Sequence, residues 1–153
     1  MKFSLLAILS VLIVIAVACQ SPQTNDANAQ KSEEPATDGV FIHITKGPDH
    51  PHQVLMALQM AVMMAETQDV LVYLDIEAVH VVLKDSEDLA YSHFPTSHTQ
   101  INKLVEMGVP VMACPGCLKA AEKTAGDLME GVQVADKETF FNFTKGRILT
   151  LDY

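Results

Sequence analysis

Two cysteines separated by Pro115 and Gly116 carry the clearest chemistry in this sequence. They follow an apolar run, residues 109–113, that is typical of a buried strand. Pro115 disfavours helical backbone at Cys114 and suits the first position of a helix, so the pattern predicts Cys114 at a helix N-cap. A thiolate there faces free backbone N–H groups and the positive end of the helix dipole, which lower its pKa. We therefore predict Cys114 as the nucleophile and Cys117 as the resolving cysteine.

Two other uses of the cysteine pair are open from the sequence. The pair can form a structural disulfide in an oxidising compartment, although so short a loop restrains little of the unfolded chain. It can also supply two ligands to a Zn or Cu(I) ion, because thiolates and imidazoles together form tetrahedral sites for these metals. In that alternative, Cys114 and Cys117 bind the metal together with His50 or His52.

Polar residues from other loops are expected near the cysteines, because the loops that follow parallel strands meet at one edge of the sheet. These residues are Lys46, Asp49, His50, His52, Asp75 and Glu77. Each also has a plain structural explanation, such as Asp49 capping the helix that begins near Pro51. His43 lies inside a predicted strand and is interpreted as a hydrogen-bonded core histidine. The other histidines are interpreted as surface residues: His80, His93 and His98.

Short apolar runs alternate with helical segments from residue 39 onward. Strands are predicted at residues 40–44, 70–74, 109–113, 132–134 and 147–152. Helices are predicted at residues 52–67, 97–107, 114–124 and 136–144, while residues 79–83 fit either a strand or a helical turn. Continuous apolar strands separated by helices indicate a parallel sheet covered on both faces. The sequence therefore predicts a three-layer α/β/α domain over residues 39–153.

The N-terminal residues have the pattern of a bacterial lipoprotein signal. Lys2 precedes an apolar stretch to Ala18, which is too short for a comfortable membrane span and typical of a signal peptide. Ala16-Val17-Ala18-Cys19 resembles a lipobox, with Ala16 where Leu is usual, so Cys19 is the predicted lipidation site. Residues 19–38 are polar and predict a flexible tether. We expect residues 1–18 to be removed and the domain to be lipid-anchored in the bacterial cell envelope, outside the cytoplasm.

The net charge of the chain limits the classes of partner that it can bind. The 153 residues carry 10 Lys and Arg against 19 Asp and Glu, a formal charge of −9. Removal of the signal peptide takes Lys2 with it, and the formal charge of the remaining chain is then −10. No basic face can be assembled from so few scattered cations, which argues against nucleic acid as a partner.

The predicted helix after Pro51 has an unusually apolar circumference. Between Gln53 and Glu66, Gln59 is the only other polar side chain, and four methionines join leucines, valines and alanines. A helix without a polar face is normally covered on both sides. Because adaptable methionines are common at subunit interfaces, we predict a homo-oligomer.

Several of these segments together resemble the DsrE/DsrF-like family of sulfur-relay proteins. They are residues 41–48, 69–75, 108–117 and 140–153, and the most specific is a Cys directly after a Gly-Val-x-Val strand at a helix start. The resemblance implies a five-stranded, mainly parallel sheet, assembly into oligomers, and a persulfide carried on the residue that Cys114 matches. Two features depart from the relay members: this chain looks exported, and it has a second cysteine, Cys117.

The sequence is compatible with three functions. The first is a thiol-based sulfur carrier or redox protein, in which Cys114 takes up a sulfane sulfur or attacks a disulfide. The second is a Zn- or Cu-binding module, and the third is a non-catalytic interaction domain that keeps the fold. No sulfur donor, acceptor protein or metal can be named from the residues alone.

Overall fold

A five-stranded parallel sheet forms the centre of residues 36–153, the part of the chain that this computed structural model describes. The strands are β1 (Gly39–Ile44), β2 (Asp69–Leu74), β3 (Val111–Ala113), β4 (Gln133–Val134) and β5 (Ile148–Asp152). Their order across the sheet is β4-β3-β2-β1-β5, and every neighbouring pair is parallel. The predicted parallel α/β architecture is confirmed.

Within residues 36–153, four α-helices and two 3₁₀ helices connect the strands. The α-helices are α1 (Pro51–Met64), α2 (Ser97–Glu106), α3 (Pro115–Ala120) and α4 (Lys137–Asn142). The 3₁₀ helices are Ile76–Val82 and Ala125–Asp127. The first of these decides the ambiguity at residues 79–83 in favour of a helical turn.

The α3 helix ends at Ala120, whereas the sequence predicted an end near Thr124. Glu122 has a φ of 57° and closes the helix as a left-handed residue. Its N–H donates to the Lys119 carbonyl, and the N–H of Lys123 donates to the Leu118 carbonyl. These two bonds satisfy the last helical carbonyls in a Schellman motif. Because a non-glycine residue takes the left-handed position, this end of the helix is hard to predict from the sequence.

The N-cap of α1 is His50, and the predicted cap at Asp49 is wrong by one residue. Pro51 occupies the first helical position, so the cap must be the residue directly before it. The His50 N–H donates to the Gly47 carbonyl at 3.0 Å, which closes a turn ahead of the helix. Asp49 lies exposed in that turn.

The two faces of the sheet are covered unequally. The chain steps from β1 to β4 in one direction, so right-handed crossovers place α1 and α2 on the same face. The return from β4 to β5 carries α4 to the opposite face, where Phe140 packs edge-on against Phe41 and Tyr73 with ring centroids 5.2 Å from each. This short helix leaves Phe41, His43 and Tyr73 only partly buried.

The α1 helix buries one side and exposes methionines on the other. Its buried residues are Val54, Leu55, Ala57, Leu58 and Ala61. Met56 is 37% exposed and Met63 is 54% exposed. The side of α1 that faces away from the core therefore exposes apolar methionine side chains.

The predicted signal peptide, the lipidation site Cys19 and most of the tether lie outside the described residues. Within residues 36–153, no helix combines the length and the apolar character needed to cross a membrane.

Candidate functional site: a cysteine pair at the carboxyl edge of the sheet

Cys114 occupies the junction between β3 and α3. It is the N-cap of α3, with Pro115 in the first turn, as the sequence predicted. The Cys117 N–H points back to Cys114 Sγ at 3.4 Å, and the Cys114 N–H donates to the Leu74 carbonyl at 2.9 Å. Both cysteines are free thiols and are partly exposed. Backbone pairing with β2 thus fixes the position of a sulfur that caps a helix.

Cys117 is held by a backbone group that sequence inspection missed. The Ile76 N–H donates to Cys117 Sγ at 3.1 Å. Ile76 begins the first 3₁₀ helix with a φ of 50°, a left-handed conformation that is uncommon for a β-branched residue. The peptide that follows Asp75 is therefore turned towards the second sulfur of the pair.

The surroundings give the two thiols unequal acidity. Burial raises the pKa of Cys114, but the nearby Tyr73 hydroxyl and the Cys117 N–H outweigh burial and hold that pKa below its usual value. Burial, and then the neighbouring Cys114, raise the pKa of Cys117. Burial and Cys114 likewise raise the pKa of Tyr73, so its hydroxyl stays a proton donor. Cys114 is the more acidic thiol, and its role as nucleophile remains a prediction.

An open cleft gives access to the pair from the side of Cys117. Its volume is about 330 Å³, and it lies between the first 3₁₀ helix and α3. The lining residues are Ile76, Glu77, His80, Cys117, Ala120 and Ala121. His80, interpreted from sequence as an ordinary surface residue, therefore faces the space through which a reagent would reach Cys117.

His43 joins two carboxylates next to this site. Its Nδ1 lies 2.8 Å from Asp152 Oδ1, and its Nε2 lies 3.1 Å from Asp75 Oδ2. The second contact is a close ion pair without the alignment of a good hydrogen bond. Burial lowers the pKa of His43, but the two carboxylates outweigh burial and raise that pKa. The imidazole is therefore biased towards its charged form.

The sequence identified only part of this cluster. It placed Asp75 at the correct edge and described His43 as a hydrogen-bonded core residue. Asp152 was missed, although it is the direct neighbour of His43 in the β1–β5 register. The pairing of strands so distant in sequence could not be read from local pattern.

The structure does not bring His50 and His52 into a metal site with the cysteines. His52 stacks on Tyr91, with ring centroids 4.6 Å apart, and contacts Phe94. Across residues 36–153, no cluster of three or more His, Cys, Asp and Glu side chains is arranged to hold a metal ion. The Zn or Cu(I) alternative that combined these four residues stays a prediction from the sequence. Lys46, like His50, lies exposed in the loop after β1.

The sheet and site define an α/β domain that carries a dithiol at the carboxyl end of a central parallel strand. The sequence profile of the DsrE/DsrF-like family matches residues 38–149, and the chain belongs to this family. None of the curated protein sequences matches the chain significantly.

Two solved structures share the fold. The YchN protein from E. coli superposes with a TM-score of 0.60 at 18% sequence identity, covering 75% of this chain and 99% of that one. MTH1491 from Methanobacterium thermoautotrophicum, described as a protein of unknown function, gives a TM-score of 0.53 at 22% identity with the same coverage of both chains. At these identities the likeness establishes the fold alone.

Proposed function

We propose that this protein is a thiol-based sulfur carrier whose acceptor atom is Cys114 Sγ. The observation that carries the proposal is the placement of that sulfur at the N-cap of α3, where the Cys117 N–H points at it. The nearby Tyr73 hydroxyl also lowers the pKa of the Cys114 thiol. Membership of the DsrE/DsrF-like family, whose relay members carry persulfides, supports the same chemistry.

The transfer needs no external oxidant or reductant. The Cys114 thiolate attacks the outer sulfur of a donor persulfide, a Cys114–sulfur bond forms, and the donor's S–S bond breaks. The donor leaves as a thiolate, and Cys114 now carries the persulfide. An acceptor thiolate then takes the outer sulfur by the same exchange and restores the Cys114 thiolate.

Cys117 supports thiol–disulfide exchange as a second candidate function. Its Sγ is held beside Cys114 by the Ile76 N–H and faces the open cleft. In this reaction, Cys114 attacks a disulfide and Cys117 then displaces the bound thiol, which leaves an internal disulfide. A dithiol reductant must reduce that disulfide before another cycle.

An intact-mass measurement tests the proposal. After incubation with a sulfane donor and removal of excess reagent, the protein should gain the mass of one sulfur atom, which a thiol reductant removes. A disulfide substrate should instead leave the protein lighter by two hydrogens. Thiols that remain unmodified by both reagents would contradict the proposal and favour a non-catalytic interaction domain.

We also propose that the domain is lipid-anchored through Cys19 in the bacterial cell envelope, facing away from the cytoplasm. The support is the apolar signal-like stretch, the lipobox-like tetrapeptide and the polar residues that follow. The variant Cys19→Ala should release the protein from the membrane fraction or stall its processing, with Cys117→Ala as the cysteine control. Normal maturation and unchanged membrane association of Cys19→Ala would refute the anchor.

The exposed methionines of α1 support assembly into a homo-oligomer. Met56 and Met63 form an apolar surface on a helix whose other side is already packed in the core. Light scattering on residues 36–153 should give a mass of at least two chains, and Met63→Glu should lower that mass. A monodisperse monomer of the unmodified fragment at micromolar concentration would show that these methionines are only surface residues.

A further inference from the structure

Only one of the two carboxylate oxygens of Asp75 has a polar partner among the described residues. It follows β2, and its side chain is 20% exposed. Its Oδ2 lies 3.1 Å from His43 Nε2, whereas Oδ1 is buried without a hydrogen-bond partner among the described residues. A buried carboxylate oxygen without a partner costs free energy, and a role such as accepting a proton explains why it is kept.

The second sulfur of the cysteine pair contacts the residue that directly follows Asp75. The peptide N–H that directly follows Asp75, that of Ile76, donates to Cys117 Sγ at 3.1 Å. After burial and Cys114, the charge of Asp75 also contributes to the raised pKa of Cys117. Cys117 therefore needs help to lose its proton, and Asp75 is the carboxylate residue that directly precedes the N–H bonded to its sulfur.

A path to solvent leads away from Asp75 on the other side. His43 contacts Asp75 through Nε2 and Asp152 through Nδ1, at 2.8 Å. Asp152 has a side chain that is 67% exposed. The three groups lie on β1, at the end of β2 and on β5, so the sheet itself fixes their spacing.

We propose that Asp75 is the base that accepts the Cys117 proton when this thiol resolves an adduct on Cys114, and that His43 and Asp152 connect Asp75 to solvent. This inference rests on the proposed thiol chemistry of the cysteine pair. In the resolving step the Cys117 S–H bond breaks and its proton goes to the Asp75 carboxylate. A Cys117–Cys114 bond forms, the bond from Cys114 to the adduct breaks, and the adduct leaves as a thiolate.

An aromatic disulfide that releases a coloured thiolate separates the two steps. Attack by Cys114 releases the first equivalent, and resolution by Cys117 releases the second while the reagent is reduced and the pair is oxidised. We expect Asp75→Asn to leave the first release intact and to slow the second by about a hundredfold at neutral pH. Asp85→Asn is the matched control, because Asp85 is an exposed carboxylate paired with Lys123.

The sign of the effect distinguishes a base from a mere neighbouring charge. If Asp75 acts only through its charge, its removal lowers the pKa of Cys117 and accelerates the second release, which would overturn the proposal. If it is the base, the difference between the variant and the unmodified protein shrinks at alkaline pH, where Cys117 ionises without help. Absence of the first release would instead contradict the proposed function.

The unmodified protein provides a test that does not depend on the variant folding. The titratable groups facing Asp75 or lining the adjacent cleft are His43, Tyr73, Cys114, Cys117, Glu77 and His80. Without a base, the second release should fall about tenfold for each pH unit below the pKa of Cys117, because only preformed thiolate reacts. With Asp75 as base the fall is shallower across the neutral range. A tenfold fall per unit would refute the proposal.

Discussion

Replacing Cys114 by serine should abolish persulfide and mixed-disulfide formation, whereas replacing Cys117 by serine should trap the mixed disulfide on Cys114. The reason is that the N-cap hydrogen bonds support a thiolate only at Cys114. Without Cys117 no internal thiol remains to resolve the adduct. Intact-mass spectra of the two variants after treatment with a sulfane donor or a disulfide measure both effects.

The pH dependence of alkylation provides the control for this assignment. A lowered pKa means that Cys114 keeps its thiolate at a lower pH, so its alkylation should persist below the range in which an ordinary thiol reacts. Cys117, with its raised pKa, should react only as the pH rises further. Equal rates for both thiols, or an adduct that forms on Cys114→Ser, would reverse the roles.

Substitution Gly47→Ala should destabilise the domain by about 1–3 kcal/mol and disturb the cysteine site. A methyl group at Gly47 would lie 2.8 Å from both the Cβ and the carbonyl oxygen of Glu77. Much of this clash is with backbone, so the first 3₁₀ helix must shift, and the Ile76 N–H shifts with it. Chemical denaturation measures the loss of stability, and the rate of Cys117 alkylation reports the disturbed hydrogen bond.

Gly126→Ala is the matched control for that substitution. A methyl group there would meet its nearest neighbour, Thr124 Oγ1, at 3.5 Å, which is ordinary van der Waals contact. We expect its stability and its Cys117 alkylation rate to stay close to those of the unmodified protein. If Gly47→Ala behaves like Gly126→Ala, the close approach to Glu77 does not support the site.

The strands and the cysteine cap were predictable because their determinants are local. A continuous apolar run marks each of β1, β2 and β3, and Pro115 sets the helix start that makes Cys114 its cap. Helix ends were less predictable, because Glu122 adopts a left-handed conformation that glycine usually signals. Local pattern thus identified the elements better than their boundaries.

The remainder of the site depends on contacts that local pattern does not encode. Cys117 receives its hydrogen bond from a backbone N–H, which every residue except proline has, so no residue type marks the donor. His43 meets Asp152 across 109 positions of the chain, through a pairing that exists only once the sheet has formed. The packing of His52 against Tyr91 is likewise a tertiary contact that no local pattern of the sequence encodes.

The left-handed backbone at Ile76 lowers the stability of the fold but orients the N–H that binds Cys117 Sγ. A bulky residue in this conformation costs on the order of 1–3 kcal/mol, which the rest of the fold must offset. Glycine at this position would remove the penalty but would free the peptide that holds Cys117 Sγ. Selection for thermal stability alone would therefore favour replacement of Ile76. A stabilised variant that carries such a replacement should be tested for loss of Cys117 reactivity.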